Sequence, residues 1–285
     1  MAKQAFSLGG RSRITVRQFV VAAVTIVSAA VMLAPIVLMV NAALRPITEI
    51  LAYPPKLIPQ QVTGEHFANV VFDGENQRHF RNSTILAFSS LLVSVGLGYL
   101  AAYAFSRFRL RGGRAMLLGI LGILMIPRIL LIIPYFRLAA AFGVRDTIPG
   151  LVMVNAAFTM PIAIWLLKGY IDSIPVELEE AAMIDGCSRL QAVWRVLVPI
   201  SVPGIVGIGT FVFIAAWNEY ILAIILTDTP DTQPLTIALA KFFGYVARDW
   251  NSIMALSTVA SLPLALIFIV FQRYVVQGMT SGAVK

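Results

Sequence analysis

Three groups of side chains in this sequence have the types and spacing to do chemistry, and each is surrounded by long apolar runs. The first is Glu179-Glu180-Ala181-Ala182-Met183-Ile184-Asp185-Gly186. Acids at a helix start suit the positive end of the helix dipole and accept from a basic partner. Small side chains let another surface come close to the backbone, and a final glycine supplies a left-handed turn. That chemistry is docking, not bond making. A solvated helix on a membrane surface has the same composition, so periodicity alone leaves both readings open.

The second group is Trp217-Asn218-Glu219-Tyr220 with Arg128, which follows Pro127. An aromatic ring, an amide and an acid can stack on and hydrogen-bond a sugar; they can equally clamp helices together. An arginine at membrane depth faces a cavity, a partner or the outer interface. Arg128 either pairs with Glu219, contacts an anionic sugar such as a uronate, or gates the outer mouth. The third group is Asn155 and Thr159, one helical turn apart and so on one face. They line a cavity or hydrogen-bond a neighbouring helix.

Bond-making chemistry is poorly supported. No paired catalytic acids, metal cluster or activated nucleophile gathers near one membrane face. His66 and His79 read as ordinary surface histidines of the 44–82 segment, and the single Cys187 excludes an internal disulfide and a multi-cysteine metal site. No GxxxxGK[ST] stretch occurs, so the chain is not expected to hydrolyse ATP, and no cofactor or metal is expected on it.

The elements that position these groups are membrane spans. The 285 residues are 59% hydrophobic and 13% charged, against about a quarter charged in a soluble domain. Six apolar segments, at about 19–43, 83–105, 115–136, 149–167, 203–226 and 253–271, are each long enough for a hydrocarbon core of about 30 Å. A spanning segment must satisfy its backbone internally, and the short alternating strands of a barrel are absent. The fold class is therefore all-α and polytopic, with six transmembrane helices in a lipid bilayer. The first apolar run lacks a small-residue cleavage signature and reads as a retained helix.

Lys3, Arg11, Arg13 and Arg17 in the 1–18 tail, and Arg107, Arg109, Arg111 and Arg114 in the 106–114 loop, place both segments in the cytoplasm. Two spans separate them, so the two assignments agree. The 44–82 segment is then external, with Pro46, Pro54, Pro55 and Pro59 and little helical pattern, and the 273–285 tail is cytoplasmic. The net charge of +8 is scattered among loops and forms no basic face for nucleic acid.

This topology puts loop 168–202 in the cytoplasm, yet it carries Asp172, Glu177, Glu179, Glu180 and Asp185 against Lys168, Arg189 and Arg195. It reads as two short helices. Pro175 opens the first, Gly186 ends it, Ser188 and Gln191 form a capping box for the second, and Pro199 and Pro203 stop that one. Pro127, Pro134, Pro161 and Pro263 read as kinks inside spans.

The loop resembles the signature of ABC-importer permease subunits: E-A-A, three residues, G, nine residues, I-x-L-P. Glu180-Ala181-Ala182, Gly186, Val196, Val198 and Pro199 stand at matching spacing, with valine at both aliphatic positions. AWNEYILAIILTD, PLTIALAKFFG and FQRYVVQGMTSGAVK resemble the carbohydrate-importer branch, specifically its second, maltose-type permease, and the likeness covers most of 80–285. The resemblance implies the type I importer permease fold, with a core at 80–272, in the bacterial cytoplasmic (inner) membrane. It implies a heterodimer with a sister permease, two ATP-binding subunits that hold ATP and Mg, an external solute-binding protein and a sugar substrate. Segment 175–186 would be the coupling helix. Glu180 would contact an ATPase subunit, Ala181 and Ala182 would allow close packing on it, Gly186 would supply the bend and Asp185 would help hold the turn. Two alternatives remain: an ion-coupled secondary transporter, and a permease for a polyol or glycerol phosphodiester.

Overall fold

A computed structural model describes residues 16–50, 52–54, 58–245 and 249–280. The basic residues Lys3, Arg11 and Arg13, Pro55 of the 44–82 segment, and the tail beyond Thr280 lie outside the described residues. The described chain is helical: α1 Val16–Ala43, α2 Ile47–Ile50, α3 Glu65–Phe72, α4 Gly74–Arg107, α5 Gly113–Gly122, α6 Ile132–Ala141, α7 Ile148–Asp172, α8 Glu177–Ile184, α9 Arg189–Ala192, α10 Val198–Trp217, α11 Ile221–Leu226, α12 Leu235–Tyr245 and α13 Trp250–Thr280. Five stretches are long and apolar enough to cross a membrane: α1, α4, α7, residues 189–217, and α13 to Val275. The pair Gly113–Met125 and Arg128–Ala141 makes a sixth if counted as one span.

Sequence signals set several of these ends. Asp73 caps α4 by accepting from the Asn76 amide, and Thr147 caps α7 by accepting from the Gly150 amide, with a proline in the first turn. The bundle centre is α4 packed along α7 and α10, with α13 against α10 and α1 outside α13. Gly207 allows that last approach of α10: a Cβ there would sit 2.7 Å from the Tyr274 carbonyl oxygen. One apolar cluster, including Tyr99, Ala102, Leu167, Ile171, Ile174, Val193 and Leu197, runs from the spans into the 173–197 loop without interruption.

Five expectations are corrected. His79 is not at the surface: it is buried, with Nδ1 2.8 Å from the Gln233 carbonyl oxygen. The 44–82 segment is more helical than its prolines imply, because it holds α2, α3 and the first turns of α4. The 115–136 span is not one helix: it bends by 93° at Ile126-Pro127. Pro127 has no N–H to donate and forces the residue before it out of the helical region, and Ile126 is extended at φ −79°, ψ 120°. The 203–226 span also breaks, ending at Trp217 and restarting at Ile221. Finally, Pro199 and Pro203 do not stop the second short helix. A π-helical turn at Val193–Leu197 shifts the hydrogen-bond register, with the Val198 amide reaching the Val193 carbonyl, and the chain runs on into α10.

Candidate functional site: the coupling loop and a charged node at two helix breaks

The 168–202 loop is built around α8. Pro175 lies two residues before this helix, not inside its first turn. The helix ends in a Schellman turn: the Cys187 amide donates to the Ala182 carbonyl and the Gly186 amide to the Met183 carbonyl. Gly186 has φ +92°, and nothing lies within 4 Å of where a Cβ would stand. The glycine is there for its backbone, not for space. Asp185 makes no side-chain hydrogen bond to this turn among the described residues. The Ser188–Gln191 capping box is formed in both directions, with side chain to backbone distances of 3.3 and 2.8 Å.

The loop's acids divide into two sets. Glu179 is buried and accepts from Arg107 Nε at 2.6 Å, while Arg107 Nη2 donates to the Ile174 carbonyl at 2.8 Å. Asp172 accepts from Ser106 Oγ and Lys168 Nζ, both at 2.6 Å. These acids hold the loop to the ends of α4 and α7. Glu177, Glu180 and Asp185 are exposed. The outer face of α8 also shows Ala181 and an Ile184 that is 86% exposed, whereas Ala182 is buried against its own chain. Of the two alanines, Ala181 is exposed and placed to let a second protein approach, while Ala182 is turned into its own chain.

The other site forms where the two broken spans meet. Arg128, at the α5–α6 bend, donates to Glu219 Oε2 at 3.0 Å and lies 5.1 Å from the Phe158 ring centroid on α7. Glu219 Oε1 accepts from the Leu222 amide at 2.9 Å, and its carbonyl accepts from Thr236 Oγ1 at 2.7 Å. The carboxylate thus caps α11 and satisfies backbone groups freed by the break. Glu219 is 3% exposed and the Arg128 side chain 42% exposed. The guanidinium keeps donors that Glu219 does not use.

The remaining candidates separate. Trp217 is buried, stacks on Phe213, meets Phe80 edge-on and donates to the Ala260 carbonyl at 3.1 Å. Its ring is largely taken up by packing, and its remaining edge lines a small cavity with Asn218, Thr236, Ser257 and Ser261. Asn218 is exposed and donates to the Ile214 carbonyl, and Tyr220 is exposed beside it. Thr159 meets Ser94 Oγ at 2.7 Å, a bond between α7 and α4, while Asn155 is buried with Oδ1 lacking a protein partner. Sequence reasoning missed Arg107, which it took only as a topology marker, and Ile184. The signal for Arg107 was the loop's surplus of acid, which called for a basic partner from elsewhere.

Comparison with known proteins agrees with the geometry. Residues 94–281 match the family described as binding-protein-dependent transport system inner membrane component. The chain is 34% identical over 255 residues to the inner membrane ABC transporter permease YcjP of Escherichia coli K12, covering 88% of this chain and 90% of that one. It is 37% identical over 232 residues to the trehalose transport system permease SugB of Mycobacterium tuberculosis, covering 81% and 85%. Its fold matches a chain in the crystal structure of a bacterial ABC transporter that imports the acidic polysaccharide alginate, with a TM-score of 0.77, 24% identity, and coverage of 94% and 99%. The chain is a multi-pass protein of the cytoplasmic membrane, and it belongs to the family of binding-protein-dependent ABC-importer permeases.

Proposed function

We propose that this chain is one of two permeases in an ATP-driven importer of a sugar or oligosaccharide. Its sister permease completes the pathway, a solute-binding protein delivers the solute outside, and two ATPase subunits carry ATP and Mg on the cytoplasmic side. The observation that carries the reading is the outer face of α8. A short helix ends in a glycine-dependent turn and presents Glu180, Ala181 and Ile184 away from its own bundle.

Each of these residues has a physical role in docking. Ile184 is an apolar knob for a cleft. Ala181 keeps the approaching surface close to the backbone. Glu180, near the positive end of the helix, accepts from a basic group of the ATPase. ATP closes the ATPase pair and moves α8, and the permease pair shifts between outward-open and inward-open arrangements. The solute path passes the Arg128–Glu219 node. There the free guanidinium donors face away from Glu219, and hydroxyl-rich solutes supply many acceptors.

The test is a tagged pull-down of the chain expressed with its genomic neighbours, as wild type and as Gly186→Val. Recovery of an ATPase and a second permease by the wild type, with loss of the ATPase alone in the variant, is the expected result. A chain that purifies alone and still transports overturns it.

A further inference from the structure

We infer that Arg107 is the positioning residue through which movement of the coupling helix reaches α4; this rests on the importer reading above. α8 is joined through the chain to α7 on one side, by residues 173–176, and to α10 on the other, by the Gly186 turn, α9 and the π-helical turn. α4 has no such covalent route, yet it packs along both α7 and α10 at the centre of the bundle. Arg107, in its last turn, bridges the gap. One guanidinium holds Glu179 of α8 by Nε at 2.6 Å and the Ile174 carbonyl of the connecting segment by Nη2 at 2.8 Å. Its Nη1 reaches Ser106 Oγ at 3.3 Å, and that hydroxyl donates to Asp172 at the end of α7. Beyond the helix, the Arg189 guanidinium lies 5.2 Å from the ring centroid of Phe108, which in turn meets Tyr103 edge-on. The end of α4 is thus fixed to the loop both before and after α8.

The type of bond matters. Apolar packing resists compression and separation, but it is non-directional and lets the packed surfaces slide. A charge-assisted hydrogen bond between side chains that are 9% and 5% exposed also resists separation, because each group would be left charged and unpaired. The pair can therefore carry α4 toward and away from the ATPase side as α8 moves in and out. A cyclic transporter needs both strokes, and the pair adds a directional tie to the apolar contact between α4 and the loop.

The experiment uses the complete importer complex in nanodiscs, with Cys187→Ser as background and two nitroxide label pairs at exposed positions. One pair, Glu177→Cys with Leu266→Cys, reports movement of α8 against α13. The other, Leu100→Cys with Leu266→Cys, reports movement of α4 against α13. Distances are measured without nucleotide and after trapping with ATP, Mg and vanadate. The expected result is a trapped-state shift in both pairs for the otherwise wild-type complex, loss of the α4 shift alone in Arg107→Ala, and its return in the charge swap Arg107→Glu with Glu179→Arg. An α4 shift that persists in Arg107→Ala overturns the inference, as does an α4 that stays still in the unsubstituted complex. If Arg107→Ala abolishes both shifts with the ATPase still bound, Arg107 holds α8 in shape and relays nothing, which also overturns it. A chain that binds no ATPase before any Arg107 change fails the importer reading itself, a distinct outcome.

Discussion

The coupling loop and the node at the helix breaks each contain one arginine–carboxylate pair, and the two pairs are built differently. Arg107 and Glu179 are both withdrawn from water, 2.6 Å apart, and the guanidinium spends its other nitrogens on Ile174 and Ser106. Arg128 and Glu219 are 3.0 Å apart with only the acid buried, and the guanidinium is left half open. A closed pair has each guanidinium nitrogen engaged and works as an attachment. An open pair fixes its acid and keeps a cationic face for something else. Burial on both sides or on one side therefore separates a mechanical joint from a candidate contact surface, although the residue types are the same.

The change that breaks the comparison most completely is Gly186→Val. A β-branched residue at φ +92° costs about 1–3 kcal/mol in backbone strain and disrupts the Schellman turn that aims α8. Retention of the ATPase subunits on purification is expected to be lost while the amount of chain in the membrane stays unchanged. Full retention would mean that docking does not depend on this turn, and the coupling loop would lose its assigned role.

How far each region could be read from sequence follows from the range of its interactions. The α8 turn, its glycine and the Ser188–Gln191 box depend on residues within about five positions, so spacing exposes them. The six apolar segments were legible because a bilayer demands length and greasiness together. Arg107 and Glu179 are 72 positions apart, and Arg128 and Glu219 are 91 apart, so no local pattern pairs them. The break at Pro127 could be read from a missing N–H, but the one after Trp217 has no proline and depends on Thr236 and the Glu219 side chain. Trp217 reads from sequence as either a sugar contact or a helix clamp; its burial against Phe213 and Phe80 comes from tertiary packing alone.

The open pair predicts an asymmetry. Arg128→Gln strands a buried carboxylate and is expected to cost about 3 kcal/mol, the low end for a broken buried pair because the arginine side is half exposed. Glu219→Gln leaves a half-exposed arginine that water can reach and keeps an oxygen for the Leu222 amide, so its cost should be about 1 kcal/mol. Thermal unfolding of the purified complex compares the two. Equal losses would show that Arg128 is not the open partner.

The two alanines of the coupling helix sharpen the contrast on a smaller scale. Ala182→Leu overfills a buried position and should destabilise the chain by about 2 kcal/mol. Ala181→Leu points outward and should leave the chain's own unfolding unchanged while weakening its association with the ATPase. If the two variants exchange these effects, α8 is rotated relative to the face described above.

The smallest effect is expected outside both pairs, where Asp146 ties down the loop after α11. Its carboxylate accepts from the Asp228 and Thr229 amides and from the hydroxyls of Thr229 and Thr232. Burial raises its pKa, but those hydrogen bonds together outweigh that and hold it below its ordinary 3.8. A depressed folded value means that the ionised tether stabilises fully above the unfolded pKa and is lost as pH falls through the folded one, so the dependence lies below about pH 5. Asp146→Asn keeps a residue tolerant of φ +55° but provides one acceptor oxygen in place of two, at a cost of about 1 kcal/mol. Unfolding of the wild type should be flat in pH from 5 to 8 as far as this group is concerned, and the gap between wild type and variant should close only in acid. A gap that already varied near neutrality would mean that a group other than this carboxylate governs the loop.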